Sequence, residues 1–171
     1  MGDENILTAV NTGTADDRYD SSGDKHILVA LDETDSSTRA LLYVADFLGG
    51  YQGIRVTLLR IIPEPSEDFF DDRIARAQWI KVQYDKSIKV LEIYREVLVH
   101  SGFGSNNVDI KVNIMNCSSI AKSILEIQKK RGCCTVVVGR RAISRKEEFI
   151  FGSTTSKMLH TEKKCALWVV E

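Results

Sequence analysis

From His26 onward, short β-branched runs alternate with longer stretches of helical period, the pattern of repeated βαβ units. Five strands can be marked: Ile27 to Leu31, Val56 to Ile62, Val108 to Ile114, Thr135 to Val138 and Ala166 to Val170. The first and fourth are continuous apolar runs, as expected of strands covered by helices on both faces. In the third, Val108, Ile110, Val112 and Ile114 alternate with Asp109, Lys111 and Asn113, so one face is wet and the strand belongs at an edge.

Between the first two strands, Ala40, Val44, Phe47 and Leu48 recur at helical spacing, with Gly49-Gly50 as the stop. A long helical region from Asp68 to His100 precedes Gly102, and Gly102-Phe103-Gly104 reads as a helix stop followed by a turn. A third helix places Ile120, Ile124 and Ile127 on one stripe after a Ser118-Ser119 cap. A short helix from Ser153 to His160 leads into the last strand, with Met158 and Leu159 as packing residues and His160 inside it. The expected fold is α/β, a doubly wound five-stranded parallel sheet of order 3-2-1-4-5 with helices on both faces.

Residues 1 to 24 carry Asp3, Glu4, Asp16, Asp17, Asp20 and Asp24 against Arg18 alone and read as an acidic, flexible extension, leaving residues 25 to 171 as a single domain. The whole chain has 171 residues, 43% hydrophobic and 27% charged, enough for one soluble domain with a real core. Lys and Arg number 23 against 24 Asp and Glu, so the basic excess of a nucleic-acid binder is missing. No apolar run approaches the roughly 20 residues of a membrane span, and the N-terminus does not read as a secretory signal. A cytoplasmic location is expected. The four cysteines form no CxxC pair and the three histidines are dispersed, so reduced thiols in or beside the core are expected, with no metal site.

In an open α/β sheet, ligands sit beyond the carboxyl ends of the strands where the strand order reverses. With strands one and four as neighbours, that crevice is lined by Asp32 and Gly139. Gly139 follows the Val136-Val137-Val138 run, and after nine further residues beyond Ala142 comes Gly152-Ser153-Thr154 at a helix start. Glycine at a strand end admits close approach of backbone, and a Gly-Ser-Thr helix start offers N–H groups, hydroxyls and the positive dipole end. Together these would form an anion cradle. The plainer alternatives are that Gly139 is a turn, Ser153 an N-cap, and Asp32 a cap for the helix starting near Ser36.

The element order, the Val-Ala-Leu-Asp run ending at Asp32, the strand at 56 to 62 and Gly-x-x-Ala-x9-Gly-Ser at 139 to 153 together resemble the universal stress protein family, over about residues 25 to 171. Nucleotide-binding members of that family carry Gly-x-x-Gly-x9-Gly-(Ser/Thr), and this chain has Ala142 where the second glycine belongs. The resemblance implies that Asp32 contacts the adenosine moiety with Ala30 close by, and that Ile61 lines the adenine pocket. It implies that Gly139, Arg140, Ala142, Gly152, Ser153 and Thr154 surround the ribose and phosphates of ATP, with magnesium as an accompanying ion.

The function expected is non-catalytic binding of ATP in a stress-response or regulatory protein, because no catalytic constellation is visible. A nucleotide-free homodimeric scaffold of the same family is the alternative, favoured by Ala142. A slow ATP hydrolase is the third reading; the loop after strand one, Asp32-Glu33-Thr34-Asp35-Ser36-Ser37, has no glycine and three acids, unlike the Ser-Gly-Gly-x-Asp-Ser loop of the related ATP-cleaving enzymes. Family members commonly dimerise through their last strands, so a homodimer through Ala166 to Val170 is expected.

Overall fold

The computed structural model describes residues 25–116, 119–140, 153–161 and 164–171, and only the backbone of Glu67 and Ser153. Among the described residues are five strands, β1 (Lys25–Ala30), β2 (Ile54–Pro63), β3 (Val108–Met115), β4 (Thr135–Gly139) and β5 (Ala166–Val170). All pair in parallel in the order β3-β2-β1-β4-β5, the order expected from the sequence. The helices are α1 (Asp35–Leu48), α2 (Arg73–His100), α3 (Ile120–Arg131) and α4 (Ser153–His160).

The apolar residues of the strands point alternately into two cores, one on each face. Val29, Val56, Leu58 and Val137 pack with Ala40, Leu41 and Val44 of α1 and Ile80, Leu91 and Leu98 of α2. Leu28, Leu59, Val136 and Val138 pack with Ala121, Ile124 and Ile127 of α3 and Met158 of α4. Strands β1 and β4 feed both layers, which is why their sequences are apolar throughout. Each Val, Leu, Ile or Met among them contributes about 1.5–3 kcal/mol when fully buried. At the β3 edge Val108, Val112 and Ile114 are buried and Asp109, Lys111 and Asn113 half-exposed, as the alternation predicts, whereas Ile110 of the apolar face is only partly buried.

Helix starts follow local hydroxyl and carboxylate chemistry. The Thr34 hydroxyl accepts from Ser37 N at 3.4 Å, Asp72 Oδ1 from Ala75 N at 2.7 Å, and Ser119 Oγ from Lys122 N at 3.5 Å. The Asp72 cap corrects the expected start of the long helix from Asp68 to Arg73; a short 3-10 turn, Glu67–Phe69, occupies the preceding stretch. Three further expectations are corrected. Phe47 is 56% exposed, because α1 packs through Ala40, Leu41, Val44 and Ala45 and leaves Phe47 stacked on Tyr43 beside Trp168. Leu159 is 38% exposed, its neighbour Met158 alone filling the core. His160 is the last, exposed residue of α4 rather than an interior one.

At the amino ends of the strands, His26 Nε2 lies 2.8 Å from the Thr57 hydroxyl, which also accepts from Arg131 Nη1 at 2.8 Å. In the neutral tautomer protonated at Nδ1, Nε2 accepts from the Thr57 hydroxyl while that hydroxyl accepts from Arg131. Burial, then Arg55 and Arg131, hold the His26 pKa below its ordinary value of 6.5, outweighing Asp109. The unfolded chain thus binds a proton that the folded chain resists, so stability falls as pH drops below 6.5 and levels off beneath the folded-state pKa. His26→Gln keeps an acceptor without a titrating ring, and urea unfolding at neutral and at mildly acidic pH is expected to show a smaller acid loss than in the wild type.

Among the described residues no helix is long and apolar enough to cross a membrane.

Candidate functional site

The carboxyl ends of β1, β2 and β4 open into a cleft at the reversal of strand order. Its volume of about 100 Å³ is several times what a single water molecule needs. Its floor is apolar, built from Leu59, Ile61, Ile120, Ile124 and Val138, with Ala30 and Leu31 at the end of β1. Its rim is hydroxylic, with Thr34, Ser36 and Ser37 from the start of α1 and Thr154 and Thr155 from the start of α4. The amino ends of α1, α3 and α4 all border this one space. Each points backbone N–H groups and about half a positive charge toward it. The cleft therefore joins a surface suited to a flat apolar ring with a surface suited to an anion.

Among the described lining residues Asp32 is the one charged side chain. It follows β1 directly, and its Oδ1 accepts from Thr34 N at 3.0 Å and, over a short contact, from the Thr34 hydroxyl. That hydroxyl also lies 3.0 Å from Ser36 Oγ. The Ser37 hydroxyl turns inward, 2.6 Å from the Asp32 carbonyl and 2.9 Å from that of Thr34. Asp32 thus organises the loop in which Thr34 caps α1. The expectation that Asp32 itself caps the helix is corrected: Thr34 is the N-cap of α1, and Asp32 Oδ1 holds Thr34 in place while the carboxylate borders the cleft.

Gly139 closes β4 for a reason that spacing did not reveal. A Cβ there would lie 2.2 Å from the Ser36 carbonyl oxygen and 2.6 Å from Ser37 N, both backbone atoms of the first turn of α1. Its φ is outside the left-handed region, so the requirement is for space. Absence of a side chain lets α1 close over the strand end and brings its amino terminus to the cleft.

Of the residues expected from the sequence, Ala30, Asp32, Ile61, Gly139 and Thr154 come together at the cleft. Arg140 does not line it; its N–H donates to the Val170 carbonyl at 2.6 Å and its guanidinium pairs with the Glu171 carboxylate. Ala142 and Gly152 lie outside the described residues, as does the side chain of Ser153. Sequence reasoning missed Ile120 and Ile124 as lining residues, having assigned them to a core stripe. Their position at the first turns of a helix that follows an edge strand was the available signal. It also missed Thr34, Ser36 and Thr155, whose hydroxyls flank the recognised Asp32 and Thr154. Among the described residues no group of three His, Cys, Asp or Glu side chains is placed to hold a metal ion.

Comparison with known proteins agrees with this architecture. No curated protein sequence matches the chain. Among solved structures, a universal stress protein from Lactobacillus plantarum superposes with a TM-score of 0.68 at 14% identity, covering 86% of this chain and 97% of its own. One from Archaeoglobus fulgidus, solved in complex with dAMP, gives a TM-score of 0.56 at 13% identity over 86% and 98% of the two chains. A universal stress protein in complex with cAMP gives 0.62 at 13% identity over 88% and 98%. These likenesses show the shared fold. The family model for universal stress proteins matches residues 24–171, nearly the full length, and the chain accordingly belongs to the universal stress protein family.

Proposed function

We propose that this chain is a non-catalytic, cytoplasmic adenine-nucleotide-binding regulatory protein, with ATP as its ligand and residues 25–171 acting as one domain. The observation that carries the reading is the convergence of three helix amino termini and an apolar floor on one cleft at the strand 1/strand 4 reversal. The base would lie on Ile61 and its neighbours, Asp32 would face the adenosine end, and the phosphates would point toward Gly139 and the start of α4 at Ser153 and Thr154, with Ala142 and Gly152 in the segment between. Arg140 would reach the phosphates only by releasing Glu171. The complexes of other family members with dAMP and cAMP support the ligand class.

The absence of His, Cys or Lys among the described lining residues supports a binding role over a chemical one. Magnesium would be held chiefly by the nucleotide's own phosphate oxygens and by water, since among the described residues one carboxylate borders the cleft. That Cys133, Cys134 and Cys165 are not disulfide-bonded suits a reducing compartment.

Calorimetric titration of the full chain with ATP is expected to show saturable binding, and ATP at 100 times its Kd is expected to add about 2.7 kcal/mol of stability. No heat up to millimolar ATP, together with no nucleotide in the purified protein by mass spectrometry, overturns the proposal. Ala142 favours the second reading, a nucleotide-free scaffold. A large gain in affinity on Ala142→Gly would support it, whereas little change would mean that alanine is tolerated.

The homodimer belongs to the same proposal. Strand β5 is apolar and, among the described strands, pairs with β4 alone, which leaves its outer edge available to a second copy. Tyr43 and Phe47 stack at 5.5 Å and meet Trp168 of β5 edge-on, extending the apolar surface beside that edge. Light scattering on the same sample is expected to give twice the chain mass; a monomer mass counts against it.

A further inference from the structure

The end of the sheet opposite the cleft carries thiols that nucleotide binding does not use. Cys134 precedes β4 and Cys165 precedes β5. The register pairs Thr135 with Ala166, and the ladder extends one step further, because Ala166 N–H donates to the Cys134 carbonyl at 2.9 Å. Cys134 and Cys165 therefore occupy facing positions on adjacent strands. Strands spaced by about 4.8 Å fall inside the Cα separation of about 4.4–6.8 Å that a disulfide bridges.

Orientation and access favour the same pair. Val136 and Val138 share one apolar cluster with Cys165, Leu167 and Val169, and residue 134 has the parity of that face of β4. Cys134 is exposed, Cys165 half-buried, and neither is in a disulfide. The Cys134 thiol donates to the His26 carbonyl at 3.3 Å on the β1 side of β4; rotation about χ1 would carry it toward the β5 side. The adjacent Cys133 differs: it is buried, and burial pushes its pKa up to about 12, which keeps it protonated and unreactive.

We propose that Cys134 and Cys165 form an intramolecular disulfide driven by hydrogen peroxide, a covalent clasp between β4 and β5. The thiolate of one cysteine attacks the peroxide O–O bond, giving a sulfenic acid and releasing water once the departing oxygen is protonated. The thiolate of the other then attacks the sulfenic sulfur, forming the S–S bond and releasing a second water. Two thiols are oxidised to one disulfide while the peroxide is reduced. The bond closes a loop of about 30 residues that contains α4, and with it Thr154 and Thr155 of the cleft rim.

The test uses the full chain, freed of reductant, exposed to hydrogen peroxide, alkylated and digested without reduction. Mass spectrometry is expected to find a peptide pair joined through Cys134 and Cys165. The intact oxidised protein is expected to melt about 5–10 °C higher, and dithiothreitol is expected to reverse both changes. Cys134→Ser and Cys165→Ser are each expected to abolish the link and the rise, with the reduced-state Tm of each variant as the check on folding. Cys117→Ser is expected to keep both. A bond through Cys133 or Cys117, a link between two chains, Cys134 ending as sulfinic acid beside an alkylated Cys165, or a linked protein with an unmoved Tm would each overturn the proposal.

Discussion

Gly139→Val is expected to lower the unfolding free energy by about 3 kcal/mol or more, read as a shift of the urea midpoint with an unchanged m-value. A side chain here meets the backbone of Ser36 and Ser37 at 2.2–2.6 Å. A flexible side chain would rotate away from such a clash. A helical turn held by Thr34 and Asp32 yields only if α1 lifts from the sheet as a unit. Ala40, Leu41 and Val44 would then lose contact with β1 and β4. Gly139→Ala carries the same Cβ and is expected to lose about 1–3 kcal/mol. If the alanine variant keeps the wild-type midpoint, Gly139 is not a packing requirement. The displaced turn also frames the cleft, so ATP affinity should fall with stability in both variants.

Asp32→Ala is expected to separate loop organisation from ligand contact. Loss of the bonds from Thr34 N and the Thr34 hydroxyl frees two donors at the head of α1 and is expected to remove about 1–2 kcal/mol of stability. On the proposed function, in which Asp32 faces the adenosine end, its loss is expected to weaken ATP binding by about tenfold to a hundredfold. Thr34→Val provides the contrast, since it also removes a cap, with a loss of about 1 kcal/mol, but leaves the carboxylate in place. Its affinity loss should therefore be the smaller. Wild-type ATP affinity in Asp32→Ala would restrict this residue to holding the loop.

The sheet was legible because its signals are local and redundant. The wet face of β3 shows in Asp109, Lys111 and Asn113, and the doubly covered β1 and β4 show as unbroken apolar runs. Position in such a sheet then directs attention to Asp32 and Gly139. What stayed hidden depends on contacts distant in sequence. Ile120 and Ile124 have the period of a core stripe whether or not a cleft opens above them. Nothing near Arg140 announces that Glu171 ends beside it. Phe47 has the right spacing for burial and is excluded only because smaller residues at 40, 41, 44 and 45 already fill the layer. The start of α2 was obscured by the aspartates at 68, 71 and 72, any of which can cap a helix.

The opposite corner of the molecule is built with the same economy of atoms. The far ends of α1 and α2 touch through Gly49 and the Ser101 carbonyl, where a Cβ would approach to 2.3 Å, and through Gly50 and Gly102, the latter at a φ of +103°. The turns after α1 and α2 are consequently geared together, and lengthening one would prise open the other. A reporter or affinity tag spliced into either turn should unsettle the whole long helix, although Tyr51 and Gln52 beside it look, by exposure alone, like an inviting place to cut.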